Sequence, residues 1–186
     1  MADGLRVTAE EIGAHSKLEW EPLFPAGFYE RTLTQTRAIC VDGFSGSKTR
    51  PAIMAGLESL LSDLSNEGIE CEVWVDGSFL TKKPDAADAD VVVRLDESQY
   101  GKLDARQRGI LTQINGPLRS MLKKQYLLDL YVFVEYGSYP EGHPKFGLGE
   151  WQRAYWIRQF GRSRGHNKNR AEQSKGMIRV RIPLVP

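Results

Sequence analysis

The stretch that decides the fold is Val75-Asp76-Gly77-Ser78, followed after nine residues by Asp88-Ala89-Asp90-Val91. It reads as a strand ending in a Gly-Ser turn, then a second strand that opens with two carboxylates one residue apart. Strand side chains alternate faces, so Asp88 and Asp90 project to one side, about 6.5 to 7 Å apart along the strand. Like charges that close are costly unless a cation or water compensates them. Two magnesium ions about 3.5 to 4 Å apart are one such arrangement; plain solvent exposure is the other. Gly77 lets the backbone approach a ligand closely, and the turn amides with the Ser78 hydroxyl can donate to phosphate oxygens.

Working outward, residues 70–75 and 88–95 read as strands, and 126–136 as a third and longer one. Asp129 interrupts the apolar run Tyr126-Leu127-Leu128-Asp129-Leu130-Tyr131-Val132-Phe133-Val134. An unpaired carboxylate buried there would be strongly unfavourable, so Asp129 needs a partner. If its strand neighbours the one bearing Asp88 and Asp90, a shared cation supplies it. Three carboxylates on adjacent strands make the hard, oxygen-rich site that magnesium takes when it also binds phosphates.

Around these strands, Ile53, Met54, Leu57, Leu60, Leu61 and Leu64 recur on one helix face, with Glu58, Ser62 and Ser65 opposite. The spacing predicts a helix over 51–67, capped by Ser47 or Thr49 and ended at Gly68. Residues 103–124 predict two short helices broken at Gly116-Pro117, 149–160 a further helix, and 177–182 a last strand. Residues 23–29 read as a strap across the surface, and 1–22 as a flexible arm. The expected architecture is an α+β domain over 23–186: a short mixed β-sheet with helices mainly on one face, the 51–67 helix packed there and the carboxylates opposite.

Gly77-Ser78, nine residues, then Asp88-Ala89-Asp90-Val91 resembles the signature of the DNA polymerase β-like nucleotidyltransferase superfamily, with Asp129 matching its third carboxylate. More narrowly, Trp74 to Thr81 with Lys83-Pro84 is similar to a family of small bacterial nucleotidyltransferase-like proteins. Phe24-Pro25-Ala26-Gly27, Phe160-Gly161-Arg162 and Lys175-Gly176-Met177-Ile178 match it too. The chain departs from the superfamily in placing Asp76 before the Gly-Ser and only Ala89 between the aspartates; neither change removes a metal ligand. It also has little room for the helical domain with which larger relatives grip the base or the acceptor.

The resemblance implies two-metal transfer of a nucleoside monophosphate from an NTP to an acceptor hydroxyl. Asp88, Asp90 and Asp129 would hold two Mg2+ or Mn2+ ions, and Gly77 and Ser78 would orient the leaving pyrophosphate. Asp129 would also help deprotonate the attacking hydroxyl. The acceptor would be RNA, protein or a nucleotide. Small stand-alone members further imply a toxin-antitoxin or phage-defence setting with a cognate partner protein.

A formal net charge of +1 gives no global attraction to nucleic acid or membrane, so any electrostatic partner must be met by a local patch. Two widely spaced cysteines suggest neither a zinc site nor a disulfide framework and fit a reducing cytoplasm. No run reaches the roughly 20 apolar residues of a membrane span. Lys82 and Lys83, in the loop before the aspartates, are candidates for the triphosphate or are ordinary exposed lysines.

From Trp151 on, Arg153, Arg158, Arg162, Arg164, Lys168, Arg170, Lys175, Arg179 and Arg181 face only Glu172 as an acid. This basic segment, 151–186, with His166 nearby, either binds an RNA backbone or nucleotide phosphates or pairs with acids elsewhere in the fold. Trp151, Tyr155, Trp156 and Phe160 have helical spacing, which favours core packing over base stacking. Glu135 lies too far along its strand to join Asp129, and His15 and His143 have no assigned role. Two rivals to the enzyme remain: a non-catalytic module that keeps the fold to bind nucleotide or partner, and an RNA-binding protein working through the basic segment.

Overall fold

The leucine stripe forms helix α2 (Arg50–Asn66) in a computed structural model that describes residues 20–116, 118–162 and 174–182. Ser47 Oγ accepts the Arg50 amide at 3.2 Å, and Pro51 occupies the first turn. Gly68, at φ +67°, ends the helix while the Ile69 amide returns to the Leu64 carbonyl. Ile53, Met54, Leu57 and Leu61 are fully buried, each burial contributing about 1.5 to 3 kcal/mol.

That stripe lies on a mixed five-stranded sheet of order β1-β5-β2-β3-β4, made of β1 (Gly27–Glu30), β2 (Cys71–Asp76), β3 (Ala89–Asp96), β4 (Leu128–Glu135) and β5 (Gly176–Ile182). β2 runs antiparallel to β3 and β5, while β3–β4 and β1–β5 are parallel. Six α-helices complete the described residues: α1 (Leu33–Cys40), α2, α3 (Glu97–Lys102), α4 (Ala105–Asn115), α5 (Arg119–Tyr126) and α6 (Leu148–Phe160). The expected α+β class and mixed sheet therefore hold, as does the break between α4 and α5. None of these helices is long and apolar enough to cross a membrane.

The two sheet faces differ. Val73 and Val75, Val91 and Val93, Leu128 and Leu130, and Ile178 and Val180 join α1, α2, α4 and α5 in the main core. On the other face α6 covers one part only: Trp156 and Phe160 pack with Trp74, Val92, Phe133 and Met177. Beyond that apolar cluster the same face carries the carboxylates, opposite α2 as expected.

Three local differences have physical causes. Tyr126 ends α5 instead of opening the third strand, because its backbone carbonyl is pressed against Gly56 of α2, where a Cβ would sit 1.8 Å away. Its hydroxyl also donates to Asp63 at 2.7 Å, and the chain turns at Leu127 through a left-handed φ of 54°. The expected strap over 23–29 instead contributes β1, and α1 follows, started by a Thr32/Gln35 capping box. Glu21 and Pro22, at the end of the expected arm, lie against the loop at Thr81 and Lys82. Cys40 and Cys71 are both buried free thiols, pushed up to about 12 by burial.

Candidate active site

The turn after β2 is built for close approach. Gly77 has φ +85°, and a Cβ there would stand 2.8 Å from Asp90 Oδ2 and 3.0 Å from the Asp90 amide. Any side chain would both strain the backbone and push on the second aspartate. Gly77–Leu80 forms a short 3-10 turn, whose Ser78 carbonyl accepts from the Thr81 amide and hydroxyl.

The loop leading to the aspartates is held by Arg50 at the start of α2. Its guanidinium is fully buried and donates to the carbonyls of Cys40, Phe79, Thr81, Lys83 and Pro84 at 2.6–3.1 Å. It also stacks over the Phe44 ring at 3.6 Å. Asp85 accepts from Ser47 Oγ and the Lys48 amide, tying the same loop to the segment before α2. One arginine thereby organises the whole connection between the Gly-Ser turn and β3.

Register then brings the acids together. Asp90 is paired directly with Asp129 across parallel β3 and β4, and with Asp76 across antiparallel β2. Three carboxylates thus form one row across three strands on one face, with Asp88 just before β3. The third strand's aspartate does neighbour the other two.

Protein cations meet this row. Lys123 Nζ lies 2.6 Å from Asp88 and 3.3 Å from Asp129. Arg119, one turn earlier on α5, donates to Asp129 Oδ1 at 3.0 and 2.6 Å and stacks over Tyr131 at 3.9 Å. Lys175 Nζ holds Asp76 Oδ2 at 3.0 Å in a pair only 10% and 3% exposed.

Among the described residues, none forms an ion pair with Asp90. Burial, and after it the Asp88 charge, raises its carboxyl above the usual range. Asp76 is pushed up to about 7, chiefly by burial that Lys175 only partly offsets, and among the described residues its Oδ1 is a buried atom without a hydrogen-bond partner. The Asp88 contact foremost holds the Lys123 ammonium above its ordinary range.

Among the described residues no three His, Cys, Asp or Glu side chains converge closely enough to hold a metal ion as they stand. The donor chemistry nonetheless fits a hard divalent cation, because the row is all oxygen and, among the described residues, half-buried Asp90 has no ion-pair partner of its own. Binding requires Lys123, whose side chain is 43% exposed, to give way.

Of the loop lysines, Lys82 ion-pairs with Glu21 at 2.8 Å, both exposed, and Lys83 offers its backbone carbonyl to Arg50. Among the described residues, neither side chain forms an ion pair with the carboxylates of the row. Glu135 lies away from the site, bound by Arg94 and Arg153, and His143 stacks on Tyr139.

In the basic segment Arg153, Lys175, Arg179 and Arg181 do pair with acids elsewhere. Arg164, His166, Lys168, Arg170 and Glu172 lie outside the described residues, as does His15. The aromatic set divides: Trp156 and Phe160 pack on the sheet, but Trp151 is 64% and Tyr155 44% exposed.

Sequence reasoning missed Arg119 and Lys123, and named Lys175 only within the basic segment, without its partner Asp76. The signal for the first two was available: two cations four residues apart on a helix that runs straight into the strand bearing an unexplained aspartate.

No curated protein and no solved structure matches the chain. A protein-family model does match, over residues 17–181 and so across every described strand and helix: the chain belongs to DUF6932, a family of unknown function.

Proposed function

We propose that this protein is a magnesium-dependent nucleotidyltransferase that moves a nucleoside monophosphate from an NTP to an acceptor hydroxyl. The observation that carries the reading is the row Asp76, Asp90, Asp129, lying beside a glycine turn whose backbone nearly touches Asp90. Setting half-buried Asp90 beside the carboxylates of Asp88 and Asp129 costs free energy that an apolar residue would not, and the Lys175 and Lys123 charges offset only part of it, so stability alone gives no reason for Asp90.

Asp88, Asp90 and Asp129 would hold the cations. When bound, these supply charge neutralisation for the triphosphate and acidify the attacking hydroxyl. The chain's own part is orientation: Gly77 and Ser78 present the turn to the phosphates, and the Arg50-bound loop keeps that turn at fixed distance from β3. Asp129, at the neighbouring strand position, accepts the proton from the acceptor hydroxyl. We place the reaction in the cytoplasm, which the two free thiols fit, with RNA, a protein or a nucleotide as acceptor; a toxin-antitoxin or phage-defence role with a partner protein belongs to the same proposal.

One observation favours a second reading. Arg119 and Lys123 already neutralise Asp129 and Asp88, which suits a non-catalytic module that binds nucleotide or a partner through the same face. Incubation with each labelled NTP and magnesium, beside Asp90→Ala, followed by intact mass and gel analysis of protein and RNA, separates the two. Label transfer that Asp90→Ala abolishes supports the enzyme; absence of any magnesium-dependent turnover sinks it, and nucleotide binding alone then selects the module.

A further inference from the structure

Helix α6 has two faces of different character. Gly149 and Phe160 face the sheet: a Cβ on Gly149 would stand 2.1 Å from the Tyr136 carbonyl, and Phe160 is buried. Trp151, Tyr155 and Arg158 recur on the other side at the spacing of one stripe. The Trp151 and Tyr155 rings stack on each other, centroids 5.8 Å apart at 21°, with most of Trp151 in water. A solvent-facing helix stripe normally carries polar side chains.

From this exposed pair an aromatic tract runs inward. Tyr155 meets Trp156 edge-on at 5.4 Å, and Trp156 meets Tyr131 at 5.4 Å. The Tyr131 hydroxyl lies 3.5 Å from Asp129 Oδ2. A chain of ring contacts thus links the solvent-facing stack to the carboxylate row.

Charge selects the occupant. Of the basic residues from Trp151 onward, Arg153, Lys175, Arg179 and Arg181 are paired with acids of the fold, whereas Arg158 stands exposed on the same stripe as the rings. An apolar protein helix has no use for that charge. Among acceptors of the proposed transfer, RNA alone offers a stackable base and a phosphate at every step. We infer that Trp151, Tyr155 and Arg158 form a docking platform for single-stranded RNA, bases stacking on the rings and a backbone phosphate on the arginine. That the strand is RNA and serves as the acceptor rests on the proposed transferase reading; that a single strand binds does not.

The test uses the full chain and fluorescein-labelled single strands of about twelve nucleotides, followed by anisotropy over a salt series. Trp151→Ala and Tyr155→Ala, both at exposed positions, are checked by circular dichroism and each weaken RNA binding about tenfold or more. Arg158→Ala lowers the salt slope by about one, and Arg37→Ala, on the α1 side of the sheet, leaves binding unchanged. Lack of binding by the unmodified chain, equal binding by Trp151→Ala, or tighter binding of DNA than of RNA overturns the inference. So does a dimer that Trp151→Ala turns into monomer with RNA affinity intact. Trp151-dependent binding without any nucleotidyl transfer keeps the platform and defeats the enzyme reading instead.

Discussion

The two faces of the sheet are made by alternate residues of the same strands, yet they obey different rules. On β2, Cys71, Val73 and Val75 face α2 and are closed off by leucines; Glu72, Trp74 and Asp76 face the other way, where apolar cover stops short of the acids. The first face gains stability from every residue it buries. The second buries Asp76 and half-buries Asp90 against their own preference for water. A face that folding alone would not choose is where function is to be sought.

The contrast can be broken most severely from the stable side. Arg50→Ala leaves five carbonyls without their donor and should cost about 3 to 5 kcal/mol or more. Urea denaturation checks this, and a loss below 1 kcal/mol means the loop holds itself.

On the other face, Asp90→Ala should cut transfer by about a thousandfold, as expected for loss of several kcal/mol of metal-borne stabilisation. Its denaturation midpoint should stay level or rise, since a half-buried charge crowded by Asp88 and Asp129 has gone. A large fall in stability would make Asp90 a structural residue.

Asp76 sharpens the comparison through pH. Its carboxyl is pushed up to about 7, above the ordinary 3.8, so its favourable contribution is fully present below about pH 4 and lost as pH rises through 7. Between pH 5 and 7.5 the protein should lose about 2 to 3 kcal/mol that Asp76→Asn does not lose. Denaturant midpoints at the two pH values read it, and parallel profiles would refute it. The smallest effect belongs to the rim: Arg37→Ala breaks a half-exposed pair with Glu58 and should cost under about 1 kcal/mol.

What could be read from the chain was what is local. The α2 stripe, the strand ends and the aspartate pair are patterns of period 3.6 or 2, and they stand where expected. The row itself needed a register, which no period supplies. β1 is four residues long, too short to show alternation, although the Thr32/Gln35 capping box after it was legible. Arg50 looked like an ordinary residue beside a helix-opening proline, because its five acceptors come from distant turns. Lys175 is far in sequence from Asp76 and shares no pattern with it. Trp151 and Tyr155 have the same helical spacing as the partly buried Trp156 and the buried Phe160, and only the direction each ring faces distinguishes them.

The strand order carries a consequence for assembly. β5 comes last among the described strands yet lies between β1 and β2, and it is the only strand to which β1 is bonded. During synthesis from the N-terminus, β1 must therefore wait, unpaired, until more than a hundred residues later its neighbour emerges. The Asp129 contacts with Arg119 and Lys123 close loops of only ten and six residues and can be made early, whereas the Asp76–Lys175 clasp closes with β5. Pulse-labelled hydrogen exchange during refolding should protect β3 and β4 before β1 and β5; simultaneous protection of all strands would refute this order.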